Sequence, residues 1–325
     1  MFNLNYESTV KSSQFDEILL WDLLIIGGGP AGLNAALYAK RKGLSVGLIA
    51  KEIGGQLHNT SDVDNYLGIQ MIEGKDLSKQ FLDHVKQLDV PIYQDVFVKT
   101  VKPKNPNFEL ALTDGRVLFA KTILLTTGGA PRKLDVLGEL EYSNKGVSYC
   151  TTCDAPFFKD KHVLVAGGGN SAAEAVLDLA HWARKITVVH RSQWRADDII
   201  LKKIEQLEHV DIFLETQLLE VVGDQKMTGV RVFDKRKQQE HMIQADGLFI
   251  EIGTVPNSKL LESLVELTPA GEVVVNNDQM TSYPGIYAAG DVTNQPYKQI
   301  IISVAEGAKA VLAINHYLTH NYKGE

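Results

Sequence analysis

The chain has 325 residues, of which 44% are hydrophobic and 22% are charged, a composition typical of globular proteins and unlike disordered or fibrous ones. Its length predicts two domains, because one domain usually holds about 100 to 200 residues, and its formal net charge of -7 argues against binding to nucleic acid. The apolar runs are shorter than the roughly 20 residues of a membrane span, and the N-terminus lacks a secretory pattern, so we expect a cytoplasmic protein.

The first predicted elements follow a polar segment, residues 1–18, that we expect to be a flexible arm. Residues 21–26 predict a buried parallel strand, and a helical pattern over residues 33–42 follows it. Between them, the sequence GGGPAG from Gly27 to Gly32 fits GxGxxG, whose glycines let the backbone approach a pyrophosphate at the helix N-terminus. A tight turn without a ligand is the alternative. Glu52, near the end of the next strand, is either an acceptor for ribose hydroxyls or a solvated loop residue.

Two stretches of alternating polarity, residues 98–126 and 218–250, predict antiparallel strands. Glycine and proline clusters near residues 132 and 256 mark two points where the chain could cross between domains. We therefore predict that one domain is inserted into the other. The predicted boundaries are 1–132 and 257–325 for the outer domain and 133–256 for the inserted one.

The chain has only two cysteines, Cys150 and Cys153, and Asp154 follows them directly. Zinc normally needs four ligands, of which the cysteines could supply two, and a disulfide across so short a loop would add little stability. A redox-active dithiol is therefore favoured, because a CxxC motif at a helix start lowers the pKa of at least one thiol. Asp154 is either a proton shuttle for this dithiol or a helix cap.

A second strand, glycine loop and helix follow the cysteines, with the loop sequence GGGNSA. The turn after the next strand carries cations, which favour the 2′-phosphate of NADPH over the bare ribose of NADH, although an exposed basic turn is the alternative. The residues predicted to bind this nucleotide are Gly167, Gly169, Asn170, Ser171, Ala172, His190, Arg191 and Arg195. Because nicotinamide delivers hydride and a disulfide accepts electrons through thiolates, a carrier is needed between them, which favours FAD in the first loop.

Six motifs stand in one order along the chain: GGGPAG (Gly27–Gly32), GGQL (Gly54–Leu57), TTG (Thr126–Gly128), CTTCD (Cys150–Asp154), GGGNSA (Gly167–Ala172) and GDV (Gly290–Val292). In this the chain resembles the low-molecular-weight thioredoxin reductase family of FAD-dependent pyridine nucleotide-disulfide oxidoreductases, from about residue 21 to residue 318. The resemblance implies an α/β fold with two Rossmann-like dinucleotide-binding domains, the NAD(P)-binding domain being inserted into the FAD-binding domain.

The resemblance also implies a function and a set of residues. Electrons would pass from NADPH through FAD to Cys153, and Cys150 would attack the disulfide of a thioredoxin-like protein while Asp154 acts as acid and base. The family further implies a homodimer and a rotation of the inserted domain about the two crossings. With the loop residues Gly27, Gly29, Pro30, Ala31, Gly32 and Glu52, the FAD site expected from it comprises Gly55, Gln56, Leu57, Asn65, Thr127, Gly128, Asp291, Lys298, Gln299 and Ile300.

Three positions depart from the family pattern. Ala155 stands where glycine is usual, Ser192 where a second arginine follows the histidine, and Lys298 where arginine is common. Loss of the arginine at position 192 predicts a weaker preference for NADPH, because a charge-assisted contact is worth roughly 1.5 to 3 kcal/mol. A peroxiredoxin-system reductase, a ferredoxin-dependent reductase, a dithiol oxidase, a plain flavin reductase and a redox sensor remain as alternatives. No metal, nucleic acid or membrane partner is expected.

Overall fold

The computed structural model describes residues 19–60 and 62–322, so the arm expected at residues 1–18 lies outside the described residues. The chain divides into two compact units: residues up to Ala130 together with those from Val255 onward, and Pro131–Thr254. No helix in the described ranges has both the length and the apolar character needed to cross a membrane.

The α-helices are α1 (Pro30–Arg41), α2 (Gly74–Lys86), α3 (Thr151–Asp154), α4 (Asn170–Leu179), α5 (Asp198–Ile204) and α6 (Ile300–His320). Short 3₁₀ turns cover Gly55–Asn59, Ala155–Phe158 and Lys259–Leu261. The strands are β1 (Trp21–Gly28), β2 (Val46–Ile53), β3 (Asp62–Val63), β4 (Ile72–Glu73), β5 (Ile92–Tyr93), β6 (Val98–Lys104), β7 (Asn107–Leu112), β8 (Val117–Leu125), β9 (Gly129–Pro131), β10 (Val147–Ser148), β11 (His162–Ala166), β12 (Lys185–Val189), β13 (Val210–Phe213), β14 (Thr216–Gly223), β15 (Met227–Asp234), β16 (Gln239–Gln244), β17 (Gly247–Ile250), β18 (Thr254–Pro256) and β19 (Ile286–Ala288).

The first unit is built on a seven-stranded sheet in the order β5-β2-β1-β8-β7-β6, with β19 also paired to β8. Strands β1, β2, β5, β8 and β19 run parallel, whereas β6, β7 and β8 form the predicted antiparallel meander. Strand β1 is apolar from Leu23 to Ile26 because both of its faces are covered. Leu24 and Ile26 pack into one core cluster, and Leu23 and Ile25 pack into another. Helices α1 and α6 lie on the second face.

The second unit repeats this plan with a parallel sheet in the order β10-β17-β11-β12-β13. Val163 and Val165 of β11 pack against α4 on one face, and Leu164 packs on the other face with residues of the antiparallel sheet β14-β15-β16. The chain enters and leaves this unit through β9 and β18, which pair with each other. Two Rossmann-like sheets, one in an inserted segment, are the fold class predicted from the sequence, and that prediction is confirmed.

Candidate active site

The first glycine loop is shaped by close backbone contacts. Gly27 has a φ of +119°, a conformation that favours glycine, and a Cβ atom there would lie 2.3 Å from the carbonyl oxygen of Thr126. A Cβ on Gly32 would lie 2.0 Å from the carbonyl oxygen of Gly27, so glycine lets α1 approach the end of β1. The Thr126 hydroxyl donates to the same carbonyl at 2.9 Å. Gly32 is therefore required by backbone packing within the loop, and Gly27 by packing of the loop against Thr126.

The opposite side of this loop is open. Gly29 caps α1 in an extended conformation, with no atom within 4 Å of the place where a Cβ would stand. Pro30 fills the first helical position, where the missing N–H costs nothing, and the N–H groups of Ala31 and Gly32 follow it. Gly55, with a φ of +56°, would bring a Cβ to 3.4 Å from the Gly29 Cα. The cradle beside Gly29 fits a pyrophosphate bound by amide N–H groups at a helix N-terminus.

A glutamine and an aspartate join the segments around this cradle. The Gln56 amide donates to an Asp291 carboxylate oxygen at 3.0 Å and to the Gly129 carbonyl at 2.9 Å. The Ser303 hydroxyl donates to the other Asp291 oxygen at 3.3 Å. Burial raises the pKa of the Asp291 carboxyl, while Lys298 and these hydrogen bonds act in the opposite direction. Residues far apart in the sequence are thus brought together in one polar cluster.

Three more predicted residues lie at the start of α6. Gln299 caps the helix, and its side-chain oxygen accepts a hydrogen bond from the Asn65 amide at 3.3 Å. Lys298 forms an ion pair with Glu272 at 3.2 Å. Ile300 packs against the small apolar cluster that contains Leu57. Leu57 is only 2% exposed, and its predicted contact with the cofactor stays a prediction.

Thr127 and Gly128 are held by a residue that sequence reasoning treated only as part of a domain crossing. The Asn257 side chain donates to the Thr127 carbonyl at 2.9 Å, and the Asn257 backbone N–H donates to the Gly128 carbonyl at 2.9 Å. The Thr127 hydroxyl in turn donates to the Asn257 carbonyl at 2.7 Å. Glu52 is exposed at the end of β2. Its predicted contact with ribose hydroxyls stays a prediction.

The two cysteines form a disulfide at the start of the short helix α3, with their Cα atoms 5.3 Å apart. The Cys153 N–H donates to the Cys150 sulfur at 3.3 Å, so the sulfur of Cys150 caps the helix. Asp154 is half-buried, and its N–H donates to the Cys150 carbonyl at 3.1 Å. Within the described ranges, no group of three or more His, Cys, Asp or Glu side chains is arranged to hold a metal. The pair fits a redox dithiol.

A half-buried carboxylate, that of Glu251, lies beside this motif and was missed by sequence reasoning. Glu251 accepts hydrogen bonds from the Thr151 hydroxyl at 2.7 Å and from the Thr151 N–H at 3.3 Å. Burial raises the pKa of Glu251, and the two bonds from Thr151 partly oppose this. An acidic residue directly after the apolar strand β17 was the available signal.

The second glycine loop repeats the geometry of the first. Gly169 caps α4 in an extended conformation with open space at its Cβ position, and a Cβ on Gly167 would lie 2.3 Å from the Glu251 carbonyl oxygen. Ala172 is buried, and Ser171 is exposed. The Asn170 side chain donates to the Asp197 carboxylate at 2.9 Å and accepts from the Asp197 N–H at 2.9 Å. This loop therefore also fits a dinucleotide phosphate.

His190 lies behind this loop. His190 is 6% exposed. A Cβ atom on Gly168 would lie 2.3 Å from the Nε2 and Cδ2 atoms of the His190 ring. Burial lowers its pKa, and nearby cations including Arg195 and Arg191 add to that effect. Arg191 and Arg195 are exposed, and the Arg195 N–H donates to the Gly168 carbonyl at 2.8 Å. The His190 ring thus supports the loop from behind, and its predicted contact with the nucleotide stays a prediction.

Comparison with known proteins agrees with this geometry. The family model described as "Pyridine nucleotide-disulphide oxidoreductase" matches residues 21–307. The chain belongs to this family. The resemblance stated from the motifs is therefore confirmed, and membership of the pyridine nucleotide-disulphide oxidoreductases implies FAD and NADPH as cofactors.

The chain is similar to proteins of two kinds. The alkyl hydroperoxide reductase of Staphylococcus aureus (strain NCTC 8325 / PS 47) has a subunit, designated F, that is 39% identical over 315 residues, which are 97% of this chain and 62% of that protein. The chain thus spans less than two thirds of the length of this curated relative. Thioredoxin reductase from Streptococcus pyogenes MGAS5005 is 35% identical, with a TM-score of 0.88 and coverage of 93% of this chain and 99% of its own. Thioredoxin reductase from Giardia duodenalis is 28% identical, with a TM-score of 0.87 and coverage of 93% and 100%.

Proposed function

We propose that this protein is an FAD-dependent disulfide reductase that passes electrons from NADPH through FAD to the Cys150–Cys153 disulfide and on to a thioredoxin-like protein. The observation that carries the proposal is the disulfide in the same unit as the second dinucleotide loop. The first unit supplies a separate pyrophosphate cradle with its own polar cluster. Structural likeness to thioredoxin reductases over nearly the whole chain supports the same conclusion.

FAD, when bound, converts the hydride of NADPH into the electron pair that a disulfide accepts. In our proposal the residues of the first unit bind and orient it. The N–H groups at the start of α1 would hold the pyrophosphate, and Glu52 would accept hydrogen bonds from the ribose hydroxyls. Asp291, kept in place by Gln56 and Ser303, would accept hydrogen bonds from hydroxyls of the ribityl chain, and Gln299 would contribute to binding of the ring.

Reduction of the Cys150–Cys153 disulfide consumes two electrons and two protons, so groups that exchange protons are needed beside it. Asp154 is the proposed acid and base. In the forward direction the Cys150 thiolate attacks one sulfur of the partner's disulfide and forms a mixed disulfide. Cys153 then attacks Cys150, which releases the partner as a dithiol and restores the disulfide in this chain.

The homodimer, the rotation of the inserted domain about the crossings near residues 132 and 256, and the cytoplasmic location are parts of this proposal. So is the assignment of FAD to residues 1–132 and 257–325 and of NADPH to residues 133–256. The similarity to family members supports each of them, and rotation would let nicotinamide and dithiol take turns at one cofactor.

A second candidate shares the scaffold and differs in the acceptor. The identity of 39% with the alkyl hydroperoxide reductase of Staphylococcus aureus favours a reductase of a peroxide-removing system, whose disulfide partner would take the place of thioredoxin. Steady-state rates with a thioredoxin and with a peroxiredoxin-system disulfide protein separate the two candidates. Rates with NADH and with reduced ferredoxin test the donor, and peroxide formed without a protein partner reveals an oxidase.

The proposed function is tested by anaerobic titration of the FAD-loaded protein with NADPH while the visible spectrum is recorded. We expect the protein to take up about two equivalents of NADPH per chain, one for the flavin and one for the disulfide. The matched control, in which Cys150 and Cys153 are both replaced by serine, should take up about one. Equal uptake by both proteins would contradict a route through the dithiol, and an unbleached flavin would contradict the proposal as a whole.

A further inference from the structure

The turn that follows β12 has a serine where the family pattern has an arginine, and a lysine from the antiparallel sheet β14-β15-β16 contacts this turn. Ser192 stands beside Arg191 where the family pattern has a second arginine. The hairpin that joins β15 to β16 carries Lys235, whose ammonium donates to the Arg191 carbonyl at 2.9 Å. The Lys235 N–H donates to the Glu215 carbonyl at 3.0 Å, and the Glu215 N–H donates to the Ser192 carbonyl at 3.4 Å, so Glu215 links the base of the hairpin to this turn. Lys235 therefore places a positive charge next to the position that Ser192 leaves neutral.

The neighbouring cations of this hairpin are already paired. Arg236 forms an ion pair with the Glu215 carboxylate, and the Lys237 ammonium lies 3.8 Å from the Asp234 carboxylate. In the part of the chain that the structure describes, Lys235 has no such carboxylate partner within ion-pair distance. Its side chain is exposed, so its charge is available to a ligand.

This charge adds to those of the two arginines at the second glycine loop. Arg195 is fixed there by its N–H, which donates to the Gly168 carbonyl at 2.8 Å. The His190 ring lies against Gly168. Burial lowers the pKa of His190, and the positive charges of Arg195, Arg191 and Lys235 lower it further. Three cations, two from the turn after β12 and one from the hairpin, thus lie close enough to the His190 ring to lower its pKa. The Glu215 carboxylate also interacts electrostatically with Lys235, but it forms its ion pair with Arg236.

We propose that Lys235 is a specificity-determining residue that binds the 2′-phosphate of NADPH in place of the cation that Ser192 does not provide. The inference rests on the proposed function, because it assumes that NADPH binds at the second loop. A phosphate with about two negative charges is bound by charge-assisted hydrogen bonds, which an ammonium on a flexible stem supplies. Lys235 has only to exchange the Arg191 carbonyl for a phosphate oxygen.

The test measures binding of 2′,5′-ADP and of 5′-AMP to the FAD-loaded protein by calorimetry, so that no turnover is involved. Replacement Lys235→Gln should weaken binding of 2′,5′-ADP by about tenfold, which corresponds to about 1.4 kcal/mol. Binding of 5′-AMP, which lacks the 2′-phosphate, should stay within about twofold. The effect should shrink at high salt, because exposed charges are screened.

The matched control is Lys237→Gln, which removes the same charge from the same hairpin at a residue that pairs with Asp234. It should change both affinities by less than about twofold. A rescue variant carries Ser192→Arg together with Lys235→Gln, and it should recover most of the affinity for 2′,5′-ADP.

Equal weakening of 2′,5′-ADP binding by Lys235→Gln and Lys237→Gln would overturn the inference, because the overall positive charge of the hairpin would then explain the effect. Unchanged binding of 2′,5′-ADP in Lys235→Gln would overturn it too. In either case, bleaching of the wild-type flavin by NADPH would leave the proposed function standing. Failure of NADPH to bleach the wild-type protein would instead count against the proposed function itself.

Discussion

Gly27 and Gly29 stand two positions apart in the first loop, yet replacement of each by alanine should have opposite consequences. At Gly27 the added methyl group would lie 2.3 Å from the Thr126 carbonyl oxygen, and the φ of +119° is unfavourable for alanine. Overpacking costs about 1 to 3 kcal/mol, and a strained backbone conformation adds about 1 to 3 kcal/mol. Gly27→Ala should therefore lower the free energy of unfolding by about 2 to 6 kcal/mol.

At Gly29 the φ is -75° and no atom lies within 4 Å of the new methyl group. Gly29→Ala should therefore leave the FAD-free protein as stable as wild type, or more stable by up to about 1 kcal/mol, because alanine restricts the unfolded chain. The methyl group would enter the pyrophosphate cradle, however. Loss of one charge-assisted hydrogen bond there corresponds to at least about a tenfold weaker affinity for FAD.

The assay is urea unfolding of the FAD-free proteins, followed by titration with FAD while its fluorescence is recorded. Normal FAD affinity in Gly29→Ala would refute the position of the cradle. Wild-type stability in Gly27→Ala would refute the packing described for this loop.

Three further predictions concern Glu251, Asp154 and Asn257. Burial raises the pKa of Glu251 in the folded protein. The stability that Glu251 contributes is therefore present at a pH below the ordinary pKa of glutamate and is lost as the pH rises through the raised pKa of the folded state. Urea unfolding across this pH range should show the loss of stability in wild type and not in Glu251→Gln. Asp154→Asn should slow turnover of a protein disulfide by about 10² to 10⁴-fold, while stopped-flow reduction of the flavin by NADPH stays at the wild-type rate; slowing of both steps would contradict the proton-transfer role. Asn257→Ala removes the amide that donates to the Thr127 carbonyl and should lower the free energy of unfolding by about 1 kcal/mol, as thermal unfolding would show; an unchanged midpoint would count against it.

The parts of the structure that follow local patterns could be predicted from the sequence. The apolar run of β1 and the two glycine loops indicated two dinucleotide-binding units because strand, glycines and helix follow one another directly in the sequence. The CxxC motif likewise carries its chemistry within four positions.

Contacts between distant residues could not be read in this way. Glu251 meets Thr151 across 100 positions, and Asn257 meets Thr127 across 130. Each pair depends on which strands become neighbours, and no local pattern contains that information. The contact of His190 with the nucleotide, predicted from the cationic turn after β12, stays a prediction. The packing of its ring against Gly168 depends on the fold and could not be read from the sequence.

The central claim is that reducing equivalents from NADPH reach the Cys150–Cys153 disulfide. It is tested most directly by mixing the FAD-loaded protein with NADPH under anaerobic conditions, trapping thiols with an alkylating reagent and measuring the mass. The account predicts that both cysteines become alkylated, and that neither does when FAD has been removed. A reduced flavin beside an intact disulfide would contradict it.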